Sequence, residues 1–138
     1  MATWLSVEKK YEGFPLLLRY PTDLDVESLR PAFPSLAIVT HDFRKHLPSG
    51  LPEADYNDGL AEMDHELIVA FDVGRTGVPV LIETFGGKRR YYFYVAEDAD
   101  VPAVVSALAN RYAEERLSWS VRPDPKWGFF ESYARENF

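Results

Sequence analysis

The chain has 138 residues, with 22 Asp and Glu against 15 Lys and Arg and no cysteine. That length suits one domain with a sizeable core, and the lack of Cys excludes thiol catalysis, thiolate metal sites and disulfides. The net charge of -7 is concentrated: seven acids and no Lys or Arg stand between His46 and Gly74, while the other 15 acids are matched by 15 bases.

Taken in order, Glu12-Gly13 first separates Leu5-Ser6-Val7 from Leu16-Leu17-Leu18. A two-residue turn there pairs Tyr11 with Phe14, Lys9 with Leu16 and Val7 with Leu18, which predicts a half-buried hairpin over residues 1–21. Thr22 to Arg30 holds at most a helical turn, because Pro21, Pro31 and Pro34 bracket it. Leu36 to Phe43 reads as a strand, and the loop Leu47-Pro48-Ser49-Gly50-Leu51-Pro52 follows. From about Glu53 to Phe71 the residues Leu60, Met63, Leu67, Ala70 and Phe71 recur at helical spacing. Gly74 and Gly77 are expected to end that helix.

Val78 to Val95 consists of two alternating apolar runs joined by Gly86-Gly87, a hairpin signal. Alternation puts Val78, Val80, Ile82, Tyr91, Phe93 and Val95 on one face. Leu81, Glu83, Phe85, Lys88, Arg90, Tyr92 and Tyr94 fall on the other. Asp100 reads as the N-cap of a helix with Val101, Val104, Val105, Leu108 and Tyr112 along one stripe. Leu117 to Val121 is a last strand, and Asp124-Pro125 predicts the start of a final helix carrying Trp127, Phe130 and Ala134.

Between residues 35 and 123 the order is therefore strand, helix, strand, strand, helix, strand. This predicts an α+β chain with a ferredoxin-like βαββαβ antiparallel sheet, to which the hairpin 1–21 and the helix 124–138 are added within a single domain, 1–138. The sheet face away from the two core helices is the mixed one. The first hairpin extends an edge of the sheet or the last helix covers part of that face.

The chain also carries Trp4, Gly13-Phe14-Pro15-Leu16 followed by Arg19, an acidic helix through Glu62 to Leu67, Lys88-Arg89-Arg90-Tyr91-Tyr92-Phe93-Tyr94, and Asp124-Pro125-Lys126-Trp127. In these features, which run from Trp4 to Trp127, it resembles a bacterial family, domain of unknown function family 695. The resemblance implies no activity. In element order alone the chain is similar to the B-type protein inhibitors of ribonuclease E, acidic ferredoxin-like modules that bind that enzyme, but no stretch matches their residues.

Chemistry-bearing residues are sparse. His41-Asp42 with His46 has the composition of an acid/base cluster, yet neighbours on a strand point to opposite faces. Ser49 lacks the strand-turn-helix setting of a hydrolase nucleophile. Asp58, Glu62 and Glu66 lie four apart on the predicted helix, beside His65; without a His-Glu-x-x-His pattern they read as a solvated ridge rather than a metal site. Arg90, Tyr92 and Tyr94 have the look of a base-stacking face, but the acidity of the chain argues against nucleic acid. No catalytic residue, cofactor or membrane partner is expected, Met1 to Lys10 has no apolar leader region, and the expected location is the cytoplasm.

The leading expectation is a non-catalytic interaction or regulatory module whose acidic helix, through Asp58, Glu62 and Glu66, docks on a basic protein. The alternatives are a small-molecule-binding protein or enzyme with a pocket against Tyr92, Tyr94 and His41, and a homodimer through the aromatic face that also holds Arg90.

Overall fold

The computed structural model describes residues 3–72 and 75–137; Gly74, the expected helix stop, lies outside them. Six strands form one antiparallel sheet: β1 (Trp4–Tyr11), β2 (Phe14–Pro21), β3 (Ser35–Asp42), β4 (Gly77–Phe85), β5 (Lys88–Val95) and β6 (Arg116–Pro123). Their order across the sheet is β1-β2-β4-β5-β3-β6. Five helices accompany them among the described residues: α1 (Val26–Leu29), α2 (Ala54–Gly59), α3 (Ala61–Ile68), α4 (Val101–Arg111) and α5 (Gly128–Asn137). The chain is thus a mixed α+β structure, as expected, with a larger sheet than the four strands predicted for its middle.

Both hairpin turns follow from local chemistry. Glu12 and Gly13 have φ of 53° and 84°, and Gly86 and Gly87 have 63° and 81°, so each turn has two left-handed residues, matching the twist of the flanking strands. The expected pairs Tyr11 with Phe14, Lys9 with Leu16 and Val7 with Leu18 are present, as are Phe85 with Lys88, Glu83 with Arg90 and Leu81 with Tyr92.

Three expectations are corrected. The β4–β5 register shifts between Pro79 and Leu81, so Pro79 faces Phe93 and Val78 faces Tyr94. Val80 consequently packs with Leu81, Tyr92 and Tyr94 on the face it was predicted to avoid. A proline, having no N–H to give the ladder, belongs at such a bulge. Second, the single helix from Glu53 to Phe71 is two helices that part after Gly59, a poor helix former, at the buried Leu60. Third, α5 begins at Gly128 rather than directly after Asp124. The Asp124 carboxylate still caps it, accepting from the N–H groups of Gly128 (3.0 Å) and Phe129 (3.1 Å), across a Trp127 held at φ 56°.

The sheet is covered on both faces. On one, Ala37, Val39, Ile82, Tyr91, Phe93 and Val95 meet Leu67 of α3, Phe71 just after it, and Val101, Val105 and Leu108 of α4. On the other, Leu18, Tyr20, Leu36, Leu81, Tyr92 and Tyr94 lie beneath Trp127, with Phe129 and Tyr133 of α5 and Val26 and Leu29 of α1 packed around them. The N-terminal hairpin extends the sheet beyond β4, so both arrangements foreseen for the added elements occur together.

The loop before α2 is docked on the Gly86-Gly87 turn. The Phe43 N–H donates to the Gly87 carbonyl at 2.9 Å, and the Gly87 N–H donates to the Gly50 carbonyl at 2.8 Å. Gly50 has φ +92°, and a Cβ there would lie 2.9 Å from the Gly86 backbone, whereas one on Gly86 would meet open space. Gly86→Ala is therefore expected to cost about 1 kcal/mol for its left-handed backbone alone, and Gly50→Ala at least twice that because the two backbones must also move apart. Urea denaturation of both variants measures the difference; equal costs would mean that the loop yields freely.

Candidate functional site

The extension of the sheet by the N-terminal hairpin creates a cleft. Where the hairpin and the start of β4 meet the end of α3, α3 forms one wall of a cavity of about 550 Å³. Trp4, Leu24, Ile68, Val69, Val78 and Pro79 make it largely apolar, and Arg19, His65 and Asp72 supply its polar groups. A second hollow of about 270 Å³ continues along the sheet past Ser6, Leu17, Ile82 and Thr84 to Arg89. Arg19 lines both.

Arg19 is held by Asp64 of α3, whose Oδ1 accepts from Arg19 Nη2 at 2.8 Å and from the Tyr91 hydroxyl at 2.6 Å. Arg89 stands 3.7 Å from the same oxygen. Its own guanidinium donates to Thr84 Oγ1 (2.9 Å) and Asn57 Oδ1 (3.1 Å) and lies over the Phe43 ring. Burial alone would raise the Asp64 carboxyl, but the hydrogen bonds and charges of Arg19, Tyr91 and Arg89 outweigh it and hold the group below its ordinary range. Burial and the adjacent Asp64 charge push the Tyr91 hydroxyl up, so it remains a donor at neutral pH. The arrangement gives the cleft a fixed cation beside an apolar wall, with a preset orientation.

The residues singled out in the sequence lie elsewhere. Asp58 is exposed on α2, separated by the break at Leu60 from Glu62 and Glu66 on α3. Glu66 pairs with Arg111 of α4 at 2.9 Å, and Glu62 reaches the same guanidinium at 3.9 Å. Two of the three ridge acids thus have a basic partner within the chain. His65 is exposed, and no group of three or more His, Asp or Glu side chains among the described residues is placed to hold a metal ion.

Tyr92 and Tyr94 are buried under α5. Tyr94 stacks on Trp127 with ring centroids 4.1 Å apart, and Tyr92 stacks on Phe129 at 4.9 Å. Arg90 pairs with Glu83 at 3.4 Å, and Glu83 also accepts from the Tyr133 hydroxyl at 2.6 Å. The face on which a pocket or a dimer seam was expected is filled by the chain's own last helix. The alternation that set these side chains apart from the core was right, and of the two ways the sequence offered to cover them, the last helix or a second copy, the last helix does so, because the apolar face of α5 requires cover of its own.

His41 and Asp42 do not pair, as the strand geometry requires. Asp42 is 3.5 Å from Lys88, and the fully buried His41 places Nε2 2.9 Å from Glu115 Oε1. The Tyr56 hydroxyl donates to the same oxygen, and Arg44 Nε donates to Glu115 Oε2 at 3.1 Å. Burial lowers the His41 pKa from 6.5 despite the opposing carboxylate, and burial with the Glu115 bond pushes Tyr56 up to about 12. Burial would raise Glu115, but Tyr56, His41 and Arg44 together keep it below its ordinary 4.5. His41 is 0% exposed and closed from solvent, so this cluster joins β3, α2 and the turn before β6. His46 bonds its neighbour's carbonyl, and Ser49 accepts from the Leu51 N–H, which makes it a loop serine.

Sequence reasoning missed Asp64 as an inward residue, and a signal existed. It stands four residues after Leu60 and three before Leu67, inside the apolar stripe rather than across from it. Glu115 offered none, being 74 residues from His41.

Because folding lowers the His41 pKa, the unfolded chain takes up a proton near pH 6.5 while the folded chain does not. Stability is therefore full above about pH 6.5 and declines as pH falls from there. The lowered carboxyls of Glu115 and Asp64 add a further loss below their ordinary 4.5 and 3.8. Denaturation midpoints measured from pH 8 to pH 5 should decline in the parent and stay nearly level in His41→Gln; a parallel decline in both would assign the effect to another group.

A family model described as "Family of unknown function (DUF695)" matches residues 2–133. No curated protein and no solved structure matches the chain.

Proposed function

The chain belongs to this family of unknown function, and from that premise we propose that it is a binding protein whose cleft beside α3 takes a small, mainly apolar molecule bearing one anionic or hydrogen-bond-accepting group. The observation that carries the reading is the 550 Å³ cavity that joins a tryptophan-walled apolar lining to Arg19. Small-molecule sites have this make-up: an apolar concavity with a few convergent polar groups. Arginine has five N–H donors in a rigid fork. Asp64 engages Nη2, which fixes the guanidinium plane while leaving donors for a ligand. The net charge of -7 disfavours a multiply charged anion, so one acceptor group on an apolar body is the best match.

The dye 1-anilinonaphthalene-8-sulfonate has this form and reports burial by fluorescence. Saturable binding is expected, weakened about tenfold by Arg19→Gln, as for loss of one charged hydrogen bond, and abolished by Val69→Trp, which fills the cavity. Titrations unchanged in both variants would reject the cleft as the site.

A second reading retains the acidic surface, because Asp55, Asp58 and Glu62 remain exposed in a segment free of Lys and Arg. There the chain docks on a basic protein, through a surface now centred on Asp55, Asp58 and Glu62 rather than on Glu66. Capture of partners from lysate should then fall sharply between low and high salt and disappear on reversing Asp58 and Glu62 to Lys; capture indifferent to both would exclude it.

We also infer a ferredoxin-like core. The order β4-β5-β3-β6, all antiparallel, supports it, with α2 and α3 in one crossover and α4 in the other.

A further inference from the structure

β6 is the outermost strand at one side of the sheet, paired with β3 along one edge. Its other edge has no strand neighbour among the described residues. Two large apolar side chains stand at that edge partly in water, Trp119 at 46% exposure and Val121 at 42%. In register with Val39 and Ala37, they lie on the face that carries α3 and α4, together with Leu117. An open row of backbone donors and acceptors flanked by exposed apolar residues is a template for another strand.

The sequence of the strand specifies which one. From Arg116 to Arg122 it reads Arg-Leu-Ser-Trp-Ser-Val-Arg, a near-palindrome centred on Trp119. An antiparallel pair related by a two-fold axis places each residue opposite its mirror position, so such a strand is complementary to itself. We propose that β6 pairs antiparallel with β6 of a second copy, joining the two sheets into one. Leu117 of each copy faces Val121 of the other, the two Trp119 side chains meet at the axis, and Ser118 faces Ser120 on the opposite face. The apolar seam lies wholly on the face that carries α3 and α4. β1, the other outer strand, reads Trp-Leu-Ser-Val-Glu-Lys-Lys-Tyr and has no such symmetry.

The same register puts Arg116 opposite Arg122 at both ends, on the face with the serines. Like charges directly opposite oppose pairing. Arg122 already lies over the Phe129 ring, and Pro123 closes the strand, so the contact stops after seven residues. A seam of this size belongs with weak interfaces, and salt strengthens it by screening the arginines.

Sedimentation velocity on the full chain from about 1 µM to about 1 mM should show monomer converting to dimer, with the midpoint moving to lower concentration at high salt. Trp119→Lys should raise the dissociation constant at least tenfold while leaving the thermal midpoint nearly unchanged, since the side chain is half in solvent. Because the chain has no cysteine, register is read separately, with Trp119 intact. A mixture of Ser118→Cys and Ser120→Cys proteins should form a disulfide-linked dimer under mild oxidation, and neither protein alone should do so. A monomer throughout the concentration range, association unaffected by Trp119→Lys, or cross-linking of Ser118→Cys alone as strongly as the mixture would each overturn the proposal.

Discussion

Asp64 is the group on which both the attachment of the N-terminal hairpin and the shape of the cleft depend. Its largely buried carboxylate, 13% exposed, lies against Tyr91 in the central strand and Arg19 in the added hairpin. A carboxylate so far out of water needs its partners, and with Arg19 still 35% exposed the pair is screened and worth less than a fully buried one. The hairpin, α3 and β5 are therefore held in one relation by a single oxygen. The cleft is the space this relation leaves between the hairpin and α3, and its cation is the same arginine that secures the hairpin.

The opposite face is governed by a different constraint. Trp127 is fully buried, donates its indole N–H to the Phe33 carbonyl at 2.8 Å and stacks on Tyr94. The Tyr94 hydroxyl donates to Asp124 at 2.7 Å, and that carboxylate also caps α5. Burial would raise the Asp124 carboxyl, but the Tyr94 hydroxyl and the backbone N–H groups of Phe129 and Gly128 keep it low. Tyr92 and Tyr94 of β5 are thus a floor for α5, and the strained backbone at Trp127 is held by its ring's stacking on Tyr94 and its indole bond to Phe33. With that face closed over Tyr92 and Tyr94, the sheet meets solvent at the cleft beside α3, along β1 and at the edge of β6.

What was legible in the sequence was local. The Glu12-Gly13 and Gly86-Gly87 turns dictate their own pairing, since two left-handed residues in a row permit few alternatives, and the strand pairs next to each turn came out as expected. The bulge at Val80 breaks alternation without changing composition, so period-2 reasoning carried Val80 to the wrong face. The break at Leu60 was hidden because the apolar stripe continues across Gly59. Asp64 was obscured by its company: counted among seven acids, it looked like part of a solvated ridge. The clustering of Glu115 with His41, Tyr56 and Arg44 is set by strand order, which no short window contains. Arg19 stood out only through a family likeness, and its chemistry depends on a partner 45 residues away.

The attachment of the hairpin has a dynamic consequence. β1 and β2 are paired along eight residues, whereas β2 meets β4 through Leu17, Leu18 and Arg19. Proteins open in cooperative units, and a seam with few ladder bonds resists opening through the apolar surface it buries. Leu16, Leu18 and Tyr20 of β2 are nonetheless buried in the core, so apolar packing and the Arg19–Asp64 contact, more than backbone bonds, hold the hairpin to the main sheet. The edge of the sheet that walls the cleft with Trp4 is thus secured by side chains more than by its ladder, and its amide protection reports on packing rather than on strand pairing.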